Sequence, residues 1–482
     1  MIDVGSNSVR LVVYEGGRRS PAIVFNEKVM CGLGARLSES GALDPKGKER
    51  ALVAIRRFTA VAGILHVGAL AAVATAAVRD ASDGQAFCTQ VAAETGVRPV
   101  ITSGAEEARF AALGVLFGEP RADGVVVDLG GASLELCRIS DGVPGLGVTT
   151  PLGPLRLAAA KRKKAFEAEI SKCLDGLRGD FSLDGGCLYL VGGSWRALAR
   201  AQIQRTNYPL RVLHEFTLTA KEALALADWA AGASTDEIAA LPGVPSGRVA
   251  LMPQVGVLLR HLIKALSPGE IKVSGFGLRE GVCLEHMPAP VRLRDPLIAA
   301  CDAQEVLHAR NPGLGPELAA WTKTVIAPIN QAEERLIDAA ARLVDVNWRN
   351  HPDYRVPGVW ETVTRATLTD LGHRGRAFVG TILSIRYKRA RKLLDQSRLP
   401  ELLDAETIER AIRYGLVFRL GTVLSGAAPG MLGHCRVVYG SDQLELVLRG
   451  PAAELAGEEV EKRLRQLTVD LGVEGNLRVI SE

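Results

Sequence analysis

At 482 residues the chain is too long for one ordinary core, and three or four domains is the natural expectation. Apolar residues make up 47% of it, which excludes disorder as a reading of the whole. The net charge of +4 leaves room for an anionic ligand without demanding nucleic acid, and the eight cysteines show neither a C-x-x-C pair nor cysteine–histidine ligand spacing, so they read as reduced, mostly buried thiols of a cytoplasmic protein.

The chain opens on "MIDVGSNSVRLVVYEGG" (1–17), two apolar runs around an acid, a glycine and serines, which predicts a hairpin. A glycine-rich loop follows, "CGLGARLSESGALDPKGKER", then a helix over "ALVAIRRFTAVAGIL". "GALAAVATAAV" reads as a buried strand ending at Arg79–Asp80, "GQAFCTQVAAETG" as a helix closed by Gly96, "RPVITSG" as a short strand and "SGAEEARFAALGVLFG" as a helix. The longest nearly apolar run, 65–78, contains His66 and is too short to span a bilayer; no segment reads as a secretory leader.

A second hairpin, "VVVDLGGASLEL" (125–136), then repeats the opening. Asp3 falls on Asp128, Gly5 on Gly130, Ser8 on Ser133 and Leu11 on Leu136, a fixed offset that marks a duplicated unit. Helix "PLRLAAAKRKKAFEAEISKCLDGL", strand "CLYLVGG", helix "SWRALARAQI", strand "EIKVSGFG" and helix "LREGVCLEHM" complete this half. Strands alternating with helices predict an α/β architecture. From about Pro288 amphipathic helices dominate to about residue 398. The end, with "GLVFRLGTVLSG", "HCRVVYG", "QLELVLRG", helix "GEEVEKRLRQLTVDLG" and "LRVIS", reads as a small α+β module.

Turns of small residues between strands expose several N–H groups in one direction and bind phosphate oxygens. Ser6, Asn7 and Ser8 in one hairpin, and Gly130 to Ser133 in the other, can supply them; Asp3 and Asp128 at the strand ends suit a hard cation such as Mg²⁺. One such hairpin is an ordinary glycine turn, but two in register make a cleft for an anion the stronger reading. In "TSGAEEARF", Ser103 and Glu106 form a capping box, which leaves Glu107 without a structural duty in a first turn where the helix dipole favours its ionised form. It is a candidate to orient and deprotonate a water, against the blander reading of a favourable surface charge. Arg79 reads equally as a phosphate contact or as the partner of Asp80 or another acid. The turn "LVGGSWRAL" can hold an anion or merely allow tight packing, and "GFGLREGV" offers Arg279 and Glu280 in a similar place.

Taken together, "DVGSNSVRLVVYE", "ATAAVRDA", "TSGAEEARFAALGV", "VVDLGGASLEL", "PLGPLRL" and "GFGLREGV" resemble, in order over 1–290, the exopolyphosphatase and guanosine pentaphosphate phosphohydrolase family of the actin-like ATPase superfamily. The resemblance implies two ribonuclease-H-like lobes, 1–120 and 121–288, a helical HD-like domain over 289–400 and a small α+β domain over 401–482. It implies that inorganic polyphosphate or pppGpp binds between the lobes with Mg²⁺, in a cytoplasmic homodimer that engages neither nucleic acid nor membrane. Glu107 matches the catalytic glutamate, Asp128 the metal-site aspartate, and Gly130, Gly131 and Ser133 the phosphate loop. Glu135 matches the acid after that loop and joins Asp128 and Asp3 as a metal candidate. Asp3, Ser6, Asn7 and Ser8 match the first phosphate loop, and Arg79 the phosphate-holding arginine.

Two departures stand out. Ala132 occupies the place of a third glycine, which would cost about 1 kcal/mol if positive φ were needed there. The helical domain has no adjacent His–Asp pair: a proline separates His351 from Asp353, and His373 has no aspartate beside it, so an HD metal site is not expected. Between His373 and Lys392 lie seven arginines and lysines and no acid (Arg374, Arg376, Arg386, Lys388, Arg389, Arg391, Lys392), which predicts a helix anchored by one face and a track for a long polyanion along the other. Lys161–Arg162–Lys163–Lys164 is a second basic candidate. The favoured expectation is an exopolyphosphatase. Its rivals are a pppGpp 5′-phosphohydrolase, an ATP-dependent kinase on the same fold, and a non-catalytic polyphosphate sensor.

Overall fold

The computed structural model describes residues 1–154, 163–365, 367–388 and 398–480. It divides into two units, Met1–Tyr208 with Leu213–Leu293, and Pro209–Val212 with Arg294–Glu482.

The first unit is built on two sheets of one design. In the first, β1 (Ile2–Val4), β2 (Ser8–Tyr14) and β3 (Ile23–Met30) form an antiparallel meander, and β4 (Ala72–Ala74) and β5 (Val100–Ile101) add in parallel, giving the order β3-β2-β1-β4-β5. The second repeats this with β6 (Gly124–Leu129), β7 (Leu134–Ser140), β8 (Val143–Thr150), β9 (Cys187–Val191) and β11 (Glu270–Val273), and β10 (Phe216–Thr219) pairs antiparallel at the far edge. The repeat holds to the residue. Asp3 lies opposite Arg10 as Asp128 lies opposite Glu135, and the hairpin turns close through the same bond, Gly5 N–H to Ser8 O at 3.0 Å and Gly130 N–H to Ser133 O at 3.1 Å. These are the duplicated ribonuclease-H-like lobes of an actin-like fold.

Alternation along β6 places the site. Val125 and Val127 face the core of the second lobe with Trp195 and Leu258, while Val126 faces a separate cluster with Ala112, Val115, Phe117 and Tyr189. A strand buried on both faces reads as an unbroken apolar run, and the second cluster fastens helix Gly104–Gly118 across the sheet. Its first turn carries Glu107.

Several expected elements differ. The strand expected over 68–78 spans only β4; Thr75 is extended and Ala76–Asp80 is a short helix, so Arg79 projects from helix rather than strand. Apolar alanine runs carry no periodicity that separates the two. Strands β3, β8 and β10 and helices Ala220–Gly232 and Met252–Leu266 add to the predicted set.

In the second unit, helices Pro296–His308, Leu314–Val325, Gln331–Arg342, Arg355–Arg365, His373–Tyr387 and Ala405–Leu424 precede a three-stranded sheet, β12 (Cys435–Tyr439), β13 (Gln443–Arg449) and β14 (Glu474–Ile480), with helix Glu458–Leu471 before its last strand. "GLVFRLGTVLSG", quoted as part of the α+β end, falls mostly within the long helix Ala405–Leu424. Helix His373–Tyr387 is central, not anchored by one face: Ala377, Phe378, Val379, Ile382, Leu383 and Ile385 are all buried. Arg376 lies inside with them, donating to the carbonyls of Val363 and Leu368, and its guanidinium holds the bundle instead of facing a polyanion. Arg374 is exposed but paired with Asp404, Arg386 is mostly covered and reaches Asp345, and Lys388 is exposed. Arg389, Arg391, Lys392, Lys161 and Arg162 lie outside the described residues. His351 and Asp353 face each other at 3.5 Å on the surface.

Candidate active site

The hairpin tips are braced from behind. The N–H groups of Cys31 and Gly32 donate to Asn7 O at 2.9 and 3.0 Å, and Gly34 N–H donates to Ser6 O at 2.8 Å, so the glycine-rich loop holds the first tip by its carbonyls. At the second tip, Ala132 is outside the left-handed region, and the strain expected of an alanine there does not arise. The third glycine turn comes in close. Gly192 has φ +116°, and a Cβ on it would lie 2.7 Å from Leu129 O and 3.0 Å from Asp128 Oδ1. Its expected roles thus resolve toward close packing, against the aspartate itself. Gly192→Ala should lower stability by about 1–3 kcal/mol through overpacking and strain and displace Asp128; urea unfolding and turnover measured together check this, and unchanged values in both would remove the contact.

Glu106 and Glu107 divide as their neighbours dictate. Ser103 Oγ accepts from Glu106 N–H at 3.2 Å and Ser103 N–H donates to Glu106 Oε2 at 2.8 Å, a complete capping box. Glu107 turns inward, is 7% exposed, and pairs with Arg79. The dipole was expected to keep it ionised, yet burial, then the nearby Glu135, push its pKa up to about 8 against the pull of Arg79. A first-turn dipole effect of roughly 0.3–1 kcal/mol is the smaller influence. Arg79 also donates to Thr102 O and to Asp80 Oδ1, each at 3.2 Å, so its partners are Asp80, as suggested, and a second acid, Glu107.

The strand register sets the remaining charges. Across the first sheet runs the row Asp3, Arg10, Lys28; across the second, at the equivalent positions, Asp128, Glu135, Thr149. Cross-strand neighbours interact directly, so one lobe presents cations where the other presents acids. Asp3 titrates above the usual carboxylate range because of burial, opposed by Arg279 and Arg10. Burial pushes Asp128 up to about 6, with Arg196 opposing and Asp3 adding to the shift. Glu135, 4% exposed, is pushed up to about 7 by burial and then by Asp128, although Thr149 Oγ1 donates to its Oε1 at 3.0 Å. Among the described residues no group of three or more His, Cys, Asp or Glu side chains is arranged to hold a metal ion. Asp3 is buried within the positive field of Arg279 and Arg10, and Glu135 accepts from Thr149.

The sequence reading missed Arg10, Lys28, Arg196 and Arg248. Arg10 and Lys28 were legible in principle, since the 125-residue offset from Asp3 to Asp128 puts Arg10 at the place of Glu135. Arg196 donates to Ser274 O at 3.3 Å, and Arg248 Nη1 donates to Ser194 Oγ at 2.9 Å beside the Gly192–Gly193 turn. Glu280, named from its motif, has a structural duty: it accepts from Tyr14 Oη at 2.6 Å and from Gly277 N–H at 2.9 Å.

Two glycine hairpins of one design, each with a buried aspartate at its strand end, invite comparison with known proteins. Residues 12–289 match the Ppx/GppA phosphatase family, and residues 297–477 the C-terminal domain of exopolyphosphatase. The chain is 33% identical over 162 residues to exopolyphosphatase 1 of Mycobacterium leprae, a match that spans 33% of this chain and 47% of that protein. It is 25% identical over 311 residues to exopolyphosphatase 1 of Mycobacterium bovis, spanning 60% of this chain and 87% of that protein. Among solved structures, the type II variant of the Aquifex aeolicus Ppx/GppA phosphatase shares the fold with a TM-score of 0.51 at 24% identity, covering 60% of this chain and 98% of that one. Among the described residues no helix is long and apolar enough to cross a membrane.

Proposed function

The chain belongs to the Ppx/GppA phosphatase family, and we propose that it acts as an exopolyphosphatase, releasing the terminal phosphate of inorganic polyphosphate by attack of water. The observation that carries this reading is Glu107, a buried carboxylate with a pKa of about 8, set among Arg79, Asp128 and Glu135 beside paired phosphate turns.

Phosphoryl transfer asks for little covalent help from protein, so positioning and charge neutralisation supply most of the rate. Ser6, Asn7 and Ser8 on one side, and Gly130, Gly131, Ala132 and Ser133 on the other, offer N–H and hydroxyl donors to the terminal phosphates. Glu107 holds the attacking water and takes its proton on a carboxylate oxygen; a pKa near 8 makes that oxygen a competent base near neutral pH. The bond from the terminal phosphorus to its bridging oxygen breaks as the water oxygen bonds to phosphorus, and the shortened chain leaves on the bridging oxygen. Arg79, Arg10, Lys28 and Arg279 spread the charge that develops.

Asp128 and Glu135 fit a hard divalent cation, because both carboxylates are costly to ionise where they stand and their cross-strand row, Asp128, Glu135 and Thr149, holds no cation. Mg²⁺ commonly takes one or two carboxylates and completes its shell with water and substrate phosphates, which matches a site without a protein-only cage. Asp128, with Glu135 behind it, would hold the ion, which when bound supplies charge neutralisation of the phosphate oxygens. The test measures phosphate released from long-chain polyphosphate and from pppGpp, side by side. Polyphosphate is expected to be the better substrate; release from pppGpp alone would assign the chain to the alternative hydrolase, and release from neither would remove the hydrolytic reading.

A further inference from the structure

The two hairpins share a backbone but not a charge pattern. Where the second lobe carries Asp128, Glu135 and Thr149, the first carries Asp3, Arg10 and Lys28. Arg10 spends its Nε–H on Asn26 Oδ1 at 2.8 Å, and Lys28 makes no hydrogen bond or ion pair among the described residues. Lys28 keeps an accessible side chain, yet partial burial, then the nearby Arg248 and Arg10, hold its ammonium below its ordinary value, with Asp3 opposing. Arg248 belongs to the other lobe, so the two lobes bring cations together here.

The seat of Arg248 is itself costly. Its Nη1 donates to Ser194 Oγ at 2.9 Å, and its guanidinium lies over the start of helix Gly193–Arg205, where a Cβ on Gly193 would stand 2.8 Å from Nη2. Arg196 follows three residues further along the same helix. A helix start favours anions, so guanidiniums there stand against the dipole. Neither arginine forms an ion pair among the described residues. Like charges held together in this way are relieved by an anion placed between them.

The charges are also ordered along the cleft. Glu107 lies in the field of Glu135, Arg79 and Asp128, Asp128 in that of Asp3, Asp3 in that of Arg279, Arg10 and Lys28, and Lys28 in that of Arg248. Acids and Arg79 stand at the reacting end. Cations gather at the other.

We propose that Lys28 and Arg248, one from each lobe, form a subsite for the phosphoryl groups behind the one released, so that the protein discriminates tripolyphosphate and longer chains from pyrophosphate. The inference rests on the exopolyphosphatase reading and gives the substrate a direction, with its reacting end at Glu107 and its body toward Lys28. Pyrophosphate fills the places of the released phosphate and the leaving group; a further unit reaches the two cations. A guanidinium fork takes phosphate oxygens in pairs, and an ammonium takes them as a point charge. The subsite therefore needs no metal ion, which belongs to the acids of the second hairpin.

Calorimetric titration of the full chain carrying Glu107→Gln, in EDTA, compares tripolyphosphate with pyrophosphate. Tripolyphosphate is expected to bind about tenfold more tightly or better, the worth of roughly one charge-assisted contact. Lys28→Gln and Arg248→Gln should each cut that ratio to about threefold or less, with pyrophosphate affinity nearly unchanged, whereas Lys28→Arg should keep it. Lys28 is accessible, so its variants carry the test if Arg248→Gln folds poorly. No turnover enters these measurements; loss of the exopolyphosphatase reading would show separately, as a parent chain that releases no phosphate from polyphosphate. Tripolyphosphate that does not bind without metal, a ratio left intact by the glutamine variants, or equal losses for both phosphates would overturn the subsite.

Discussion

Glu107→Gln is expected to slow phosphate release from polyphosphate by about 10²–10⁴-fold, the usual loss for a missing general base, while substrate binding stays within a few-fold of the parent. The amide keeps the size of the side chain and can still donate to or accept from its neighbours, but it cannot take a proton from water. It also removes the ion pair with Arg79, whose guanidinium keeps Thr102 O and Asp80 and becomes free to engage phosphate more tightly. A modest fall in KM alongside the large fall in kcat is therefore the expected signature. Glu106→Gln supplies the contrast. Its carboxylate is spent on Ser103, so the cost falls on the helix start, about 0.5–2 kcal/mol of stability, with turnover nearly unchanged. If Glu106→Gln were the inactive variant and Glu107→Gln the active one, the two assignments would exchange and the proposed base would be wrong.

How much of this was legible in the sequence follows from which signals are local. The two hairpins were readable because strand period, turn glycines and acids recur at one offset, and the structure repeats even the turn hydrogen bond. The capping box was readable for the same reason: its partners are three residues apart. Arg79 was placed near the cleft but on the wrong element, since an alanine run gives no period. Within the acid-free basic stretch, Arg374, Arg376 and Arg386 are engaged inside the protein for a physical reason. Charge-to-neighbour balance in space differs from balance along the chain, and Asp345 and Asp404 lie far from it in sequence. Arg248 was beyond sequence reasoning altogether, because its partner Ser194 lies 54 residues away and nothing local to either residue announces the pair. Whether Glu107 titrates like a surface acid was likewise not a sequence property: the dipole is local, but its burial and its neighbours Arg79 and Glu135 come together only in the fold.

That burial has a consequence for stability. In the metal-free protein, thermal stability is expected to fall as pH rises from 6 to 8, and a divalent cation should stabilise the protein more at pH 8 than at pH 6. Glu107, Glu135 and Asp128 titrate near 8, 7 and 6 in the folded chain, against ordinary values of 4.5, 4.5 and 3.8. A carboxylate whose folded pKa lies above its unfolded one makes the folded state bind more protons through the interval between them, so stability declines as pH rises across it. The whole penalty is present above the folded value and gone below the unfolded one. Acids shifted the other way, such as Asp83, Glu106 and Asp295, are fully ionised in both states by pH 6 and add no slope in this window. A bound dication removes the repulsion that Asp128 and Glu135 exert on each other, and binding only the folded state adds stability by mass action. Since the acids compete with it for protons, its effect grows with pH. Asp128→Asn separates the contributions: without that negative charge the metal-free protein should melt higher at pH 8, and Mg²⁺ should stabilise it less, while turnover is lost. Melting curves at pH 6, 7 and 8, with EDTA or with Mg²⁺, check all of this. A metal-free protein that gains stability toward pH 8, or an Mg²⁺ effect that is flat with pH and intact in Asp128→Asn, would place the ion elsewhere and leave these acids to another role.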